Sequence, residues 1–416
     1  MFATAIDIGD NMMDESKIRQ VEMDLFQDRT EQAVPSALEM ISEMDMDDDD
    51  EALAVSGLLS KVLRTDVACD FVERLAGIGF DFGVRFPDGE TVTTMYASRG
   101  LSNPEVYRAL VSAGADPTSC NRNGSNALHI LASFEKSSFA KSRETEMAAI
   151  AGIPGNPSDW MVPNAYGATP LHLAVLFGHH ELVTALLDLV EDVDAIGTEV
   201  RSGYGHAVDF NGKTPLGVAS LIGDDESASL LLDHGADPGI TDNSGRVASH
   251  FAVSPPPVSI CRGWDSIPGM EAIVGRKRAI LSRIGMLDAT DDGGRTPLLL
   301  SLTLYRFQNG GLSEALLELG ADPNIAANDG TTPLMAAVSN GHSSAVKALV
   351  SAGADMDATD AHGRTALHHA ITWRDEKSAR LLVKKGARFD IPDDTGKTAG
   401  EMAASAGLES VIELMV

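Results

Sequence analysis

Histidine is the residue type in this chain best placed to do chemistry. His129, His172, His250 and His368 fall in the look-alike stretches "ALHILA", "PLHLAV", "ASHFAV" and "ALHHAI". The adjacent pairs His179–His180 and His368–His369 offer two imidazoles each. Neighbours at i and i+1 diverge around a helix, so neither pair can close on one metal ion. The run "DMDDDDEALAVS" places Asp45, Asp47 and Asp49 at alternating positions, as a calcium loop does. Asp50 stands where such a loop needs glycine, and Ser56 where it needs a bidentate glutamate. Cys69, Cys120 and Cys261 are widely spaced, with no C-x-x-C, which argues against disulfides and zinc and favours a reducing compartment. There is no P-loop, G-x-S-x-G or H-E-x-x-H. The expectation is no catalytic residue, no metal and no cofactor.

The elements that carry these histidines explain their recurrence. "NAYGATPLHLA" from Asn164 has relatives in "NRNGSNALHILA" at Asn121, "DFNGKTPLGVA" at Asp209 and "DNSGRVASHFA" at Asp242. Others are "DDGGRTPLLLS" at Asp291, "ANDGTTPLMAA" at Ala327, "DAHGRTALHHA" at Asp360, "DDTGKTAGEMA" at Asp393 and a weaker "PDGETVTTMYA" at Pro87. Gly330, Gly363 and Gly396 are 33 residues apart, as are Gly212 and Gly245; three longer intervals, Gly124–Gly167, Gly167–Gly212 and Gly245–Gly294, carry insertions. A second element, "GADPTS", "GADPGI", "GADPNI" or "GADMDA", closes several units. Two short stretches of helical periodicity lie between, each too short to hold alone. A threonine (Thr169, Thr214, Thr296, Thr332, Thr365) stands where a hydroxyl caps the first helix. Pro170, Pro215, Pro297 and Pro333 follow in the first turn, which needs no amide donor.

On these motifs the chain resembles the ankyrin-repeat family, from about Pro87 to Val416 with a degenerate unit before it. The resemblance implies an all-α solenoid of about ten stacked helix–turn–helix units with hairpin-like loops, each unit stabilised by its neighbours. It also implies that the four histidines bond backbone groups between units. The expected organisation is an acidic segment over 1–51, mobile in part or an extra helical cap, a capping repeat over 52–86, and repeats over 87–416. Insertions fall near 133–163, 190–208 and 254–270. Trp160 and Trp264 lie in two of them, where each is expected to pin its loop.

Composition bounds the partners. The 416 residues carry a formal charge of −29 and only 5% aromatics. So negative a surface repels nucleic acid and anionic lipid and favours a basic protein. The densest basic cluster is "GRKRAILSR" from Gly275. No membrane-spanning run or secretory leader is read, so a cytoplasmic monomer is the simplest expectation.

In the family, partners touch hairpin tips and the exposed edge of the first helices. Counting from each turn glycine, the tips give Tyr166, Phe210, Arg246, Arg295, His362 and Arg364. The late first-helix positions give Phe134, Phe177, Ile222, Leu304 and Trp373. Tyr166, Phe177, Phe210, Ile222, Arg295, Leu304, Arg364 and Trp373 are the expected anchors, since aromatic and arginine side chains dominate interfaces. For Tyr166, Phe177 and Phe210 the competing reading is burial beneath the loop after Leu187. The expected function is a noncatalytic protein-binding scaffold. The alternative is an acidic inhibitor, antitoxin-like or mimicking nucleic acid, that occludes a basic protein. An enzyme hidden in the insertions is less supported.

Overall fold

The computed structural model describes residues 15–26, 30–100, 103–134, 148–150, 160–198, 209–255, 270–303 and 311–415. Its regular elements are helices; among the described residues the extended structure is limited to two isolated bridges, Arg85–Thr91 and Pro392–Thr398. The chain divides into two units, one over Met1–Glu191 with Arg201–Tyr204, the other over Asp192–Val200 with Gly205–Val416.

In the first unit the helices Glu15–Phe26 and Thr30–Glu43 pack on each other and on the pair Asp49–Val62 and Ala68–Gly77. The acidic run caps a helix. Asp48 Oδ1 accepts the N–H groups of Asp50 (2.9 Å) and Glu51 (3.1 Å), and Glu51 accepts that of Asp45. Negative side chains at a helix start complement its partial positive charge, so this run has a structural role at the helix start. Val92–Ser98, Ala127–Ala132 and Pro170–Leu176 follow as first helices in one layer.

The second unit repeats a shorter design. Pro215–Ile222, Ala248–Val253, Pro297–Thr303, Pro333–Ser339, Ala366–Thr372 and Ala399–Ala406 form a row of first helices. Asp225–Asp233, Met270–Ile284, Leu312–Glu318, Ser343–Ser351, Glu376–Lys384 and Glu409–Ile412 form the row behind them. Pro215–Ile222, packed on Ala248–Val253 and Asp225–Asp233, is buried along its whole length. Leu298, Leu334 and Leu367 are fully buried at equivalent positions, each contributing about 1.5–3 kcal/mol by removal from water. The second helices bury one stripe and leave the other wet. Short aliphatic layers of this kind explain how a chain poor in aromatics holds together.

Capping follows the sequence closely. Thr169, Thr214, Thr296 and Thr332 each accept the N–H three residues on through the side-chain oxygen, at 3.1–3.3 Å. At Thr365 the hydroxyl lies 2.9 Å from His368 Nδ1. One unit departs: Val247 holds the cap position before Ala248–Val253 and has no hydroxyl to offer.

The loop after Leu187 resolves part of the packing question. In the second unit Gly197 donates to the Lys213 carbonyl and accepts from Gly212, both at 2.9 Å. A Cβ on Gly197 would lie 2.3 Å from the Phe210 carbonyl oxygen. The loop backbone therefore lies directly on Phe210, which is fully buried.

Candidate partner-binding surface

The histidines are structural wherever their bonds are described. His129, His250 and His368 donate from Nε2 to the carbonyls of Ala168 (3.0 Å), Arg295 (2.9 Å) and Lys397 (3.3 Å), each in the following hairpin. A carbonyl only accepts, so Nε2 carries the proton and Nδ1 is left as an acceptor. It receives the backbone N–H of Asn126, Val247 and Thr365 respectively. Each imidazole thus ties a helix start to the next loop. Burial pushes the His129 imidazole down to about 4, against the opposing bond to Ala168, and lowers His250 and His368 as well. His369 points elsewhere and bonds Asp360 Oδ2 at 3.1 Å. No group of three or more His, Cys, Asp or Glu side chains suited to a metal occurs among the described residues.

The hairpin tips are built on an aspartate. Asp360 Oδ1 accepts the N–H groups of His362 and Arg364, both at 2.9 Å, while Oδ2 accepts Arg364 Nε at 2.9 Å. Asp242 with Arg246 and Asp291 with Arg295 repeat the arrangement. Burial would raise the Asp360 carboxyl, but the backbone and guanidinium of Arg364 outweigh it and hold the group at about 2. Arg295 and Arg364 are the anchors expected from sequence, and Arg246 an expected tip; their aspartate partners carry a signal too, Asp and Arg at i and i+4 around the turn glycine. Successive hairpins are then stitched together. Asp292, Asn328, Ala361 and Asp394 donate their N–H groups to Ser244, Gly293, Asp329 and His362 of the hairpin before, at 2.9–3.0 Å. In the first unit Ala165 donates likewise to Asn123 at 2.8 Å.

The expected anchors separate on this frame. Arg295 and Arg364 stand at the tips with side chains 44% and 39% exposed, their guanidinium groups bound to Asp291 and Asp360. Tyr166 and Phe177 are half-buried. Phe210 and Ile222 require correction. Phe210 lies under the Gly197 backbone and Ile222 ends a fully buried helix, so both are core rather than surface. Trp373 is 59% exposed, in the turn after Ala366–Thr372 at the end away from the hairpin. Leu304, Trp264 and Cys261 lie outside the described residues. Trp160 is buried, and its carbonyl accepts from Asn126 Nδ2 at 2.9 Å.

The basic cluster read from sequence is largely neutralised within the fold. Arg278 pairs with Glu318 and Arg283 with Asp233. Lys277 is buried, donates to the Ser254 carbonyl, and is pushed by desolvation down to about 7.

Comparison with known proteins agrees with this geometry. A family model described as "Ankyrin repeats (3 copies)" matches residues 94–197, 146–242 and 305–393, together more than half of the chain. The mouse (Mus musculus) B-cell lymphoma 3 protein homolog is 33% identical over 152 residues, 36% of this chain and 30% of that protein. Neurogenic locus notch homolog protein 1 of Danio rerio is 32% identical over 140 residues, 33% of this chain and 5% of that protein. The chain thus spans less than a third of the length of these curated relatives. Among solved structures, the ankyrin repeat domain of Bcl-3, titled a unique member of the IkappaB protein family, aligns with a TM-score of 0.47 at 26% identity. That alignment covers 60% of this chain and 98% of the other. With its recurring capped helix pairs and the family match, the chain belongs to the ankyrin-repeat family.

Proposed function

We propose that the chain is a noncatalytic protein-binding module that presents its hairpin row to a partner. The observation that carries this reading is the stitching of successive tips by backbone hydrogen bonds. Loops held this way lose little freedom on binding, and the affinity that ordering would otherwise consume is kept. Arg295 and Arg364 project from the row already oriented by Asp291 and Asp360. In the first unit, half-buried Tyr166 is the aromatic candidate at a tip, while half-buried Phe177 stands at the far end of its first helix. The −29 charge favours a basic partner and speeds its encounter. The hairpin tips offer a carboxylate-rich frame, and on this reading any effect on a target comes through occupancy.

A second reading keeps the charge and drops the anchors: the acidic surface itself occludes a basic protein, as a nucleic-acid mimic would. The exposed carboxylates around Asp45–Asp50 favour it. A photo-crosslinking amino acid placed at Arg295, at Arg364 and, as a control, at exposed Ser282 separates the two. Adducts from the tips and none from Ser282 support the hairpin row. Equal adducts from all three positions favour diffuse charge attraction.

A further inference from the structure

The stretch from Trp373 to Arg388 reverses the character of the chain. Between Arg374 and Arg388 it holds Arg374, Lys377, Arg380, Lys384, Lys385 and Arg388, against Asp375 and Glu376. On the helix Glu376–Lys384, residues Lys377, Arg380 and Lys384 recur at helical spacing and share one exposed stripe. Ser378, Ala379 and Leu382 form the opposite, buried stripe. On the neighbouring helix Ser343–Ser351, exposed Lys347 occupies the position matching Arg380, one 33-residue period earlier. Arg388 pairs with Asp390. The side chains of Arg374, Lys377, Arg380, Lys384 and Lys385 meet no carboxylate and no hydrogen-bond acceptor among the described residues. Elsewhere in this acidic protein Arg246, Arg278, Arg283, Arg295 and Arg364 are all paired.

A second observation marks the same place. Arg374 has φ of 54°, the one non-glycine residue in the left-handed region among the described residues. The matching turns of other repeats use Gly178, Gly223, Gly341 and Gly407 there. A side chain is strained in that conformation where glycine is not, so an arginine is kept at a conformational cost beside the exposed indole of Trp373. Backbone strain of this kind collects at sites of function.

We infer that Trp373 and the basic stripe of Glu376–Lys384 form a docking surface for a short acidic segment of a partner protein. The unpaired cations would meet its carboxylates, and Trp373 would cover an apolar side chain within it. Charge complementarity selects the occupant. Screening confines the patch's attraction to about 8–10 Å, the reach of a short peptide. A duplex or a membrane would extend over the surrounding surface and meet its excess carboxylates. This surface is distinct from the hairpin row and takes a partner of opposite charge, so it stands or falls independently of that reading.

The test uses the full chain against an array of Asp/Glu-rich peptides with one apolar residue stepped along each, beside their Asn/Gln counterparts. Single-stranded oligonucleotide and phosphatidylserine vesicles serve as competing probes. The expected result is retention of acidic peptides over their amide counterparts. Binding should weaken at least tenfold in Lys377→Glu/Arg380→Glu and severalfold in Trp373→Ala, with unfolding temperatures unchanged because these side chains are exposed. Arg374→Gly should relieve the turn, raising the unfolding temperature while weakening the peptide; a purely structural Arg374 would move the first and not the second. Equal retention of acidic and amide peptides overturns the proposal, as does indifference to the charge-reversal variant. Tighter binding of oligonucleotide or vesicles overturns it as well.

Discussion

At the residue scale, two buried groups make stability rise with pH, in different windows. His129 is neutral in the fold, with Nε2 donating to Ala168 and burial holding it down to about 4. The unfolded imidazole takes its proton near pH 6.5. Below that pH the unfolded state binds the extra proton, so the stabilisation present above pH 6.5 is lost as pH falls toward 4. A shift of this size corresponds to about 3 kcal/mol, and His250 and His368 add in the same direction. Denaturant midpoints measured between pH 4.5 and 7.5 should fall on acidification, and His129→Gln should flatten part of that slope; an identical slope in the variant contradicts the assignment. Lys277 follows the same sign in a higher window. Its folded pKa of about 7 lies below the unfolded value near 10.4. Stability from this group therefore rises with pH between those limits, where the unfolded chain still holds the proton. Lys277→Met, which replaces an ammonium among buried neighbours by a similar apolar stem, should raise the unfolding temperature at pH 7 and shrink the gain seen on moving to pH 9.5.

At the element scale, the short first helices depend on their ends. Val247 stands where Thr169, Thr214, Thr296 and Thr332 cap their helices, and its neighbour His250 already accepts the Val247 N–H at Nδ1. Val247→Thr should supply the missing hydroxyl with little change of volume and stabilise by about 1 kcal/mol, read as a shift in denaturant midpoint; a loss would show that the buried hydroxyl finds no partner. The hairpins set the opposite limit. Gly330 has φ of 77°, and a Cβ there would meet Asp360 Cα at 2.9 Å. Gly330→Ala should therefore cost about 2 kcal/mol or more, from strain and from the displaced next hairpin together. These features were legible because they recur: Thr-Pro, the turn glycine and the 33-residue interval repeat their own evidence. What did not recur was hidden. Phe210 stands at a tip position that the sequence leaves open between a solvent-facing aromatic and one covered by the loop after Leu187, and the Gly197 backbone lying on it decides for burial. The basic stripe of Glu376–Lys384 is masked in the sequence for a related reason. Its rival from Gly275 is denser in sequence, and only the partners Glu318 and Asp233 show that its charges are already met.

At the scale of the whole molecule, the chain combines a charge of −29 with hairpins held in register by backbone bonds. Charge governs how fast and how far a partner is drawn, and it fades with salt. Anchors that project from a rigid frame govern how long the partner stays, and they depend less on salt. No described helix is long and apolar enough to cross a membrane. Binding at the hairpin tips, as proposed, is tested by affinity capture from native lysate with the wild-type chain and Arg295→Glu/Arg364→Glu, washed at low and high salt and read by mass spectrometry. The expected result is a partner that survives the high-salt wash on the wild type and is lost from the variant. A partner held equally by both proteins and released by salt alone would contradict it.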